Sequence, residues 1–248
     1  MATPLLVNLA PAASTDVCRW CFEYWGMPHR ESMHVPIFHV LALAWYRTSN
    51  SNRPLVVGGL NRHRTEAEIT AHFDPLAPPE CRLIPDGELG QRVLEETRYY
   101  HKTMRIGTVR YMYWNLLKQK KLIWPSFVNG TPWAESLLAQ AIFPLIKFAL
   151  TVSLKLNEAN AAEGIKTVSA GFDRVETALS DGRPYLLGEQ FTLADLTFAA
   201  SAAPIILADG YAGHMPSLEE VPLDMQTVIS EFRQRPAGMF AQRMYISR

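Results

Sequence analysis

Neither sign of charge prevails in this sequence of 248 residues, where lysine plus arginine and aspartate plus glutamate number 24 each. A formal net charge of zero offers no field to hold nucleic acid or an anionic membrane, so neither is expected as a partner. No apolar run approaches the ~20 residues of a membrane span, and the opening MATPLLVNLAPAAS lacks the basic start of a signal peptide; a cytoplasmic protein is expected. Cysteine is scarce. Three residues, an odd count, do not suit a disulfide framework and point to reduced thiols. The seven histidines and the carboxylates show no metal spacing such as His-x-x-x-His with a glutamate, so no metal site is expected. A glycine-rich phosphate loop, internal repeats and low-complexity tracts are absent as well. What is present is an ordinary globular mixture, 48% hydrophobic and 19% charged, in a length that serves one large domain or two modest ones.

The order of elements then divides the chain. Leu5 to Leu9 reads as a short strand, Thr15 to Tyr24 as a helix closed by Gly26, residues 29 to 36 as a weakly alternating second strand, and Phe38 to Tyr46 as an apolar helix running out into a polar loop. Leu55 to Val57 and Leu60 to His63 are two further strands about a Gly58-Gly59 turn, and Thr65 to Phe73 is a helix with Ile69 and Phe73 on one face. This βαβαββα order is the thioredoxin-like plan, with a right-handed crossover between its parallel strands. Prolines 75, 78, 79 and 85 mark a linker. Beyond it helical periods dominate, at 88 to about 118, 133 to about 157, 161 to 180, 192 to 208 and 221 to 234, with WPSFVNGTPW (124 to 133) as a break. The expected fold is therefore α+β in two domains: 1–76 thioredoxin-like, 77–87 linker, 88–248 all-helical.

The most informative stretch is DGRPYLLGEQFTLADLTFAASAAPIIL (181 to 207). Thr192 and Asp195 stand three residues apart before an apolar run, the spacing of a capping box, and Phe191 and Leu196 sit at the staple positions. Leu196 to Leu207 is nearly free of charge and predicts a helix with no wet face, at the centre of an all-α core. The string RPYLLGEQFTLADLTFAA resembles the segment that opens the central helix of the C-terminal domain in soluble glutathione transferases. PAGMFAQRMYISR (236 to 248) and DPLAPPECRLIP (74 to 85) resemble the tail and linker of that family's bacterial-type subgroup. All three stretches are structural.

The resemblance implies glutathione as co-substrate, bound across the boundary of the two domains, a small apolar electrophile as second substrate, a homodimer and a role in detoxification. It places the proline that precedes the third strand at Pro54, with the backbone of Arg53 pairing with the cysteinyl part of glutathione, and the γ-glutamyl contact at Arg64 and Thr65. Thr65 keeps a hydroxyl at a helix N-terminus, whereas Arg64 reverses the charge of the family's usual glutamate. His34 and His39, ahead of the polar loop, fall where family members hold the glycyl carboxylate with a basic side chain, and His39 is taken as the contact. Anchoring on Arg19-Trp20 and Gly26-Met27-Pro28 puts Thr15, beside Ser14, at the subgroup's cysteine position. A hydroxyl there either donates to the glutathione thiolate and lowers its pKa or simply caps the first helix. Tyr111 and Trp114 are expected to wall an apolar substrate pocket, against the plain reading of helix-bundle core. Cys18 and Cys21 sit one turn or more inside their helix, later than a thioredoxin-type dithiol. Two alternatives stay open: a non-catalytic ligand-binding or interaction protein, and a thiol-disulfide oxidoreductase using Cys18 and Cys21.

Overall fold

The structure is a computed structural model that describes residues 3–10, 12–46, 55–58 and 61–248. Backbone contacts gather the chain into two compact units, Met1–Arg82 with Trp124–Ala149, and Leu83–Ile123 with Leu150–Arg248.

The first unit is built on four strands, β1 (Leu5–Leu9), β2 (Arg30–His34), β3 (Leu55–Gly58) and β4 (Asn61–His63), in the spatial order β2-β1-β3-β4. β1 pairs in parallel with β2, Leu5 opposite Arg30, and antiparallel with β3, Leu5 opposite Val57. As a central strand it is covered on both faces, which is why Leu6 and Val7 are fully buried. On one face Val7, Leu43 and Leu55 form a core under α2 (Phe38–Trp45). Among the aromatics of α1 (Ala13–Tyr24) and α3 (Glu66–Phe73) and their flanks, Phe22 and Phe73 meet edge to face at 5.0 Å, and the buried Trp25 indole donates to Asp74 at 2.8 Å. This is the thioredoxin-like βαβαββα arrangement. α1 begins at Ala13, two residues before the sequence pattern predicts, so Ser14 and Thr15 lie in its first turn rather than ahead of it.

Three further helices belong wholly or mostly to this unit. α6 (Lys120–Val128) runs through Trp124 and Pro125, a stretch read in the sequence as a break. Its Phe127 is fully buried beside Phe143, ring centroids 6.3 Å apart, and only residues 129 to 132 interrupt the helix. α7 (Trp133–Ala141) and α8 (Phe143–Ser153) replace the single helix expected from 133 to 157 and are bent 82° to one another. Pro144, second residue of α8, needs no amide there, so the bend costs no helical hydrogen bond at that position.

The second unit is all helix: α4 (Gly87–Tyr99), a wider π turn at Tyr100–Met104, α5 (Arg105–Leu116), α9 (Glu158–Ala178), α10 (Leu193–Ile206), α11 (Leu223–Gln234) and α12 (Pro236–Ile246). α10 is buried along almost its whole length, as its uncharged sequence predicts. Its start is fixed by the expected capping box. The Thr192 amide donates to Asp195 Oδ2 at 2.8 Å, the Thr192 hydroxyl accepts from the Asp195 amide, and Asp195 Oδ1 also accepts from the Leu186 amide at 2.7 Å. One carboxylate thus holds the helix and the preceding turn together. At the other end Arg233 donates to the carbonyls of Ile206 (2.5 Å) and Leu207 (2.9 Å), supplying partners for groups a helix terminus leaves open. α5 and α9 cross where Gly107 faces Gly164, and a Cβ on either would stand 2.6 Å from the other's carbonyl oxygen. No side chain larger than hydrogen fits that crossing without movement.

Candidate functional site

The turn between β1 and α1 carries the two candidate hydroxyls. Ala12 is the N-cap of α1 and offers no side-chain oxygen, so neither Ser14 nor Thr15 caps the helix. Thr15 is buried, and its Oγ1 donates to the Leu9 carbonyl at 3.1 Å, closing the strand-to-helix turn. Its proton is therefore committed to backbone. Ser14 is half-buried one residue earlier, and its hydroxyl has no hydrogen-bond partner among the described residues. Cys18 and Cys21 lie deeper in the same helix, one turn apart and 1% and 0% exposed, where burial keeps a bulky disulfide substrate away from both thiols.

Around this turn the first unit assembles a polar network that no local motif announces. Glu31 on β2 receives a two-pronged contact from Arg19 of α1, at 2.7 and 2.6 Å, with Asn8 Nδ2 at 3.3 Å and His29 Nε2 at 3.4 Å. Burial pulls this carboxyl up, but the hydrogen bonds of His29 and Arg19 and the guanidinium charge outweigh it and hold it at about 2. At the end of β2, Glu135 of α7 accepts from the Val35 amide at 3.2 Å and meets His34 Nδ1 at 2.8 Å, while His34 Nε2 meets Ser32 Oγ at 3.0 Å. Glu135 lies about a hundred residues from its partners, and only the folded chain reveals it.

His39 differs from the basic contact the resemblance implies. It is buried on α2, and neither ring nitrogen meets a partner at hydrogen-bonding geometry. Burial first and the nearby His34 second lower its pKa to about 4, with the Val7 carbonyl only tempering the shift. At neutral pH the ring is uncharged and turned inward, an arrangement unsuited to holding a carboxylate.

Thr65 is the N-cap of α3, its Oγ1 accepting from the Glu68 amide at 3.0 Å, while Glu68 Oε2 accepts from the Arg64 amide at 2.7 Å. The positive helix end is thus organised around Thr65, with Arg64 exposed beside it. Glu66, the next residue, is a buried carboxylate in the first turn. Its place directly after Thr65, in the first turn of the helix, is legible in the sequence. Arg53 and Pro54 lie outside the described residues.

In the second unit Tyr111 and Trp114 are neighbours on α5, one turn apart. Tyr111 is largely buried, and burial, with Asp224 and Glu231 of α11 adding to it, pushes its phenol up to about 12. Trp114 is half-buried with the Lys118 ammonium 4.4 Å above its ring. A separate cavity of about 220 Å³, lined by Arg92, Glu96, Tyr100, Arg174, Asp181 and Arg183 among others, is polar, and two of its three arginines are already paired, Arg174 with Glu96 and Arg183 with Asp181.

Residues 158–222 match the family described as glutathione S-transferase, C-terminal domain. The whole chain superposes on solved structures that share little sequence. The beta-etherase LigF from Sphingobium sp. strain SYK-6 is 15% identical with a TM-score of 0.61, covering 98% of this chain and 99% of its own. A theta class glutathione S-transferase from the citrus canker pathogen Xanthomonas axonopodis pv. citri, with glutathione bound, is 18% identical at 0.55, covering 98% and 97%. A glutathione transferase homolog from Sulfitobacter, also with bound glutathione, is 16% identical at 0.53, covering 98% and 99%. No curated protein matches the sequence. The fold is therefore that of the glutathione transferases, a thioredoxin-like unit joined to a helical one. With the match over residues 158–222, the resemblance read in 183 to 200 is borne out for the C-terminal domain.

Proposed function

We propose that this protein binds glutathione and directs its thiolate at a small apolar electrophile, as a cytoplasmic homodimer serving detoxification. The observation that carries this reading is the match of residues 158–222 to the glutathione S-transferase C-terminal domain, in a chain whose fold is shared by transferases with glutathione bound. We assign the domains as 1–76 for glutathione, 77–87 as linker and 88–248 as the helical domain, with Tyr111 and Trp114 facing the electrophile. Thr65 at the α3 N-terminus is the γ-glutamyl contact, with Arg64 beside it, and the backbone at Arg53 and Pro54 pairs with the cysteinyl part. Of the two hydroxyls, Ser14 is the donor to the sulfur, because Thr15 spends its proton on the Leu9 carbonyl. His39 is left out of the contact set on account of its burial. A hydrogen bond to the charged sulfur favours thiolate over thiol and lowers its pKa, which is the contribution a hydroxyl at a helix start makes to nucleophilic transfer.

A second reading, a ligand-carrying protein without catalysis, is favoured by the reversed charge at Arg64. One experiment separates the two. Thiolate absorbance of bound glutathione is titrated against pH for the native protein, Ser14→Ala and Thr15→Ala, alongside turnover with a panel of electrophiles. The proposal expects a depressed thiol pKa that rises in Ser14→Ala and moves little in Thr15→Ala. Glutathione bound with an unshifted thiol points to the carrier, and no binding by calorimetry removes both readings.

A further inference from the structure

Three side chains of the first unit that transfer from glutathione does not employ are joined in a line. β2 is an edge strand of the sheet, and Ser32 and His34, two residues apart on it, project from the same face. Ser32 Oγ meets His34 Nε2 at 3.0 Å, and His34 Nδ1 meets Glu135 Oε1 of α7 at 2.8 Å. The other oxygen of Glu135 accepts from the Val35 amide at 3.2 Å, so the carboxylate is fixed through both of its oxygens. An ionised carboxylate only accepts, which puts the ring proton on Nδ1. In the neutral ring Nε2 is then a bare lone pair, and it lies on the Ser32 hydroxyl. That hydroxyl has no other partner among the described residues. Ser32 is half-buried, and the His34 and Glu135 side chains are 15% and 18% exposed, so water and a small solute reach the line. The strand edge adds a donor. The Arg30 amide donates to the Pro4 carbonyl and the His34 carbonyl accepts from the Ala10 amide, so residues 30, 32 and 34 spend their backbone groups on β1, and those of 31 and 33 face away from the sheet. The Met33 amide, directly after Ser32, is left for an incoming oxygen.

We propose that Ser32, His34 and Glu135 form a second reactive centre, an acyl-transfer site that hydrolyses small activated carboxylic esters and works without glutathione. Ser32 is the nucleophile and His34 the base, with Glu135 the positioning residue behind it. Ser32 Oγ bonds to the ester carbonyl carbon as its proton passes to His34 Nε2. The outward amide of Met33 donates to the carbonyl oxygen as that oxygen gains negative charge. When the tetrahedral adduct collapses, the carbon–oxygen bond to the alcohol breaks, the alcohol leaves with the proton from Nε2, and the acyl group stays on Ser32. Water then attacks the acyl-serine with the same base, releasing the carboxylic acid and restoring the hydroxyl. A single amide donor and an open strand edge in place of a deep cleft restrict the site to esters with a short acyl chain and a good leaving group. Tying α7 to β2 requires only Glu135, His34 and the Val35 amide. The Ser32 hydroxyl, held on the far nitrogen of the ring, adds nothing to that tie and stands where a proton relay has its reactive end.

The test uses the full chain in the absence of glutathione. With p-nitrophenyl acetate a burst of about one equivalent of p-nitrophenol is expected, and mass spectrometry of the quenched protein should find the acetyl group on Ser32. Diisopropyl fluorophosphate, whose fluoride leaves as Oγ bonds to phosphorus, should label the same residue. Ser32→Ala should abolish the burst and the label while keeping the native far-ultraviolet dichroism. Glu135→Gln can present an amide N–H to Nδ1, which moves the ring proton to Nε2. It should lower kcat about 100-fold or more with KM little changed, the loss that a wrong tautomer produces. Glu135→Asp, which restores a carboxylate, should recover part of that loss. Hydrolysis that persists in Ser32→Ala overturns the proposal. So does a native protein whose acetyl and phosphoryl groups are found only on other residues, a result that needs no variant to fold. A native rate in Glu135→Gln reduces Glu135 to a tie between α7 and β2 and overturns the three-residue relay. Because glutathione is left out throughout, the transferase reading stands or falls on its own titration.

Discussion

Glu31 on β2 and Asp195 on α10 are both carboxylates gripped by several donors, and they are held in opposite ways. Asp195 is fully buried and takes its hydrogen bonds from neutral groups within nine residues, the amides of Leu186 and Thr192 and the Thr192 hydroxyl. Burial pushes its carboxyl up, against the pull of those donors. Glu31 is partly open to water and is gripped by Arg19 and His29, whose charges and hydrogen bonds hold it at about 2 in spite of burial. The second unit uses a carboxylate as a geometric fastener, and the first uses one as a counter-ion. Neutral donors, most of them backbone amides, fix where backbone goes; charged side-chain donors fix which side chains face each other.

The largest effect expected from breaking this contrast is at the fastener. Asp195→Ala leaves the amides of Leu186 and Thr192 and the Thr192 hydroxyl without their acceptor in a dry core. At ~1–3 kcal/mol for each stranded group, the loss should reach about 3 kcal/mol or more, beyond the ~0.5–2 kcal/mol of an ordinary cap. Denaturant unfolding measures it, and a loss of under about 1 kcal/mol would show that the turn at Leu186 relaxes freely. Glutathione affinity should not change in the fraction that folds. Next in size is Gly107→Ala. Its new Cβ has only the Gly164 carbonyl to displace, so α5 and α9 must separate, at a cost typical of overpacking, about 1–3 kcal/mol. Gly164→Ala should cost a similar amount, and the double variant less than the sum, because one separation accommodates both methyls. Strict additivity would mean that the two glycines do not share a contact. Neither effect should depend on salt.

The same contrast explains what the sequence made legible. The capping box at Thr192 and Asp195, the buried α10 and the βαβαββα order rest on short spacings and on periods of two and 3.6, so they can be read directly along the chain. Trp124 and Pro125 misled, because proline reads as a break, whereas burial of Phe127 against Phe143 keeps α6 running through it. In the candidate site only single positions were legible. Thr65 as a helix-terminal hydroxyl and the Ser14-Thr15 turn come from local pattern, but which of the two hydroxyls is engaged depends on the Leu9 carbonyl across the turn. The clasp of Glu135 on His34 and Val35 spans about a hundred residues, and the inward turn of His39 is set by packing; neither leaves a trace in sequence spacing.

The smallest effect is expected at the counter-ion, and it is distinguished by pH. Glu31 has a folded pKa of about 2, below its ordinary value of 4.5. A depressed carboxyl contributes stability that is fully present above the unfolded pKa and is lost as pH falls through the folded one. The contribution should therefore stand at neutral pH, begin to fade near 4.5 and be gone below about 2. Because water reaches the Arg19–Glu31 pair, its size is that of a screened ion pair, about 1 kcal/mol or less. Glu31→Gln should be less stable than the native protein at neutral pH by that amount, and the difference should narrow steadily between pH 4.5 and the most acidic condition at which the protein stays folded. Salt at ~1 M should shrink the neutral-pH difference too, since the Debye length is then only ~3 Å. Asp195 sets the opposite expectation: a carboxyl whose pKa folding raises favours the folded state more as pH falls. A Glu31→Gln difference that is flat in pH, or that grows toward acid, would place Glu31 with Asp195 as a fastener and dissolve the distinction between the two units.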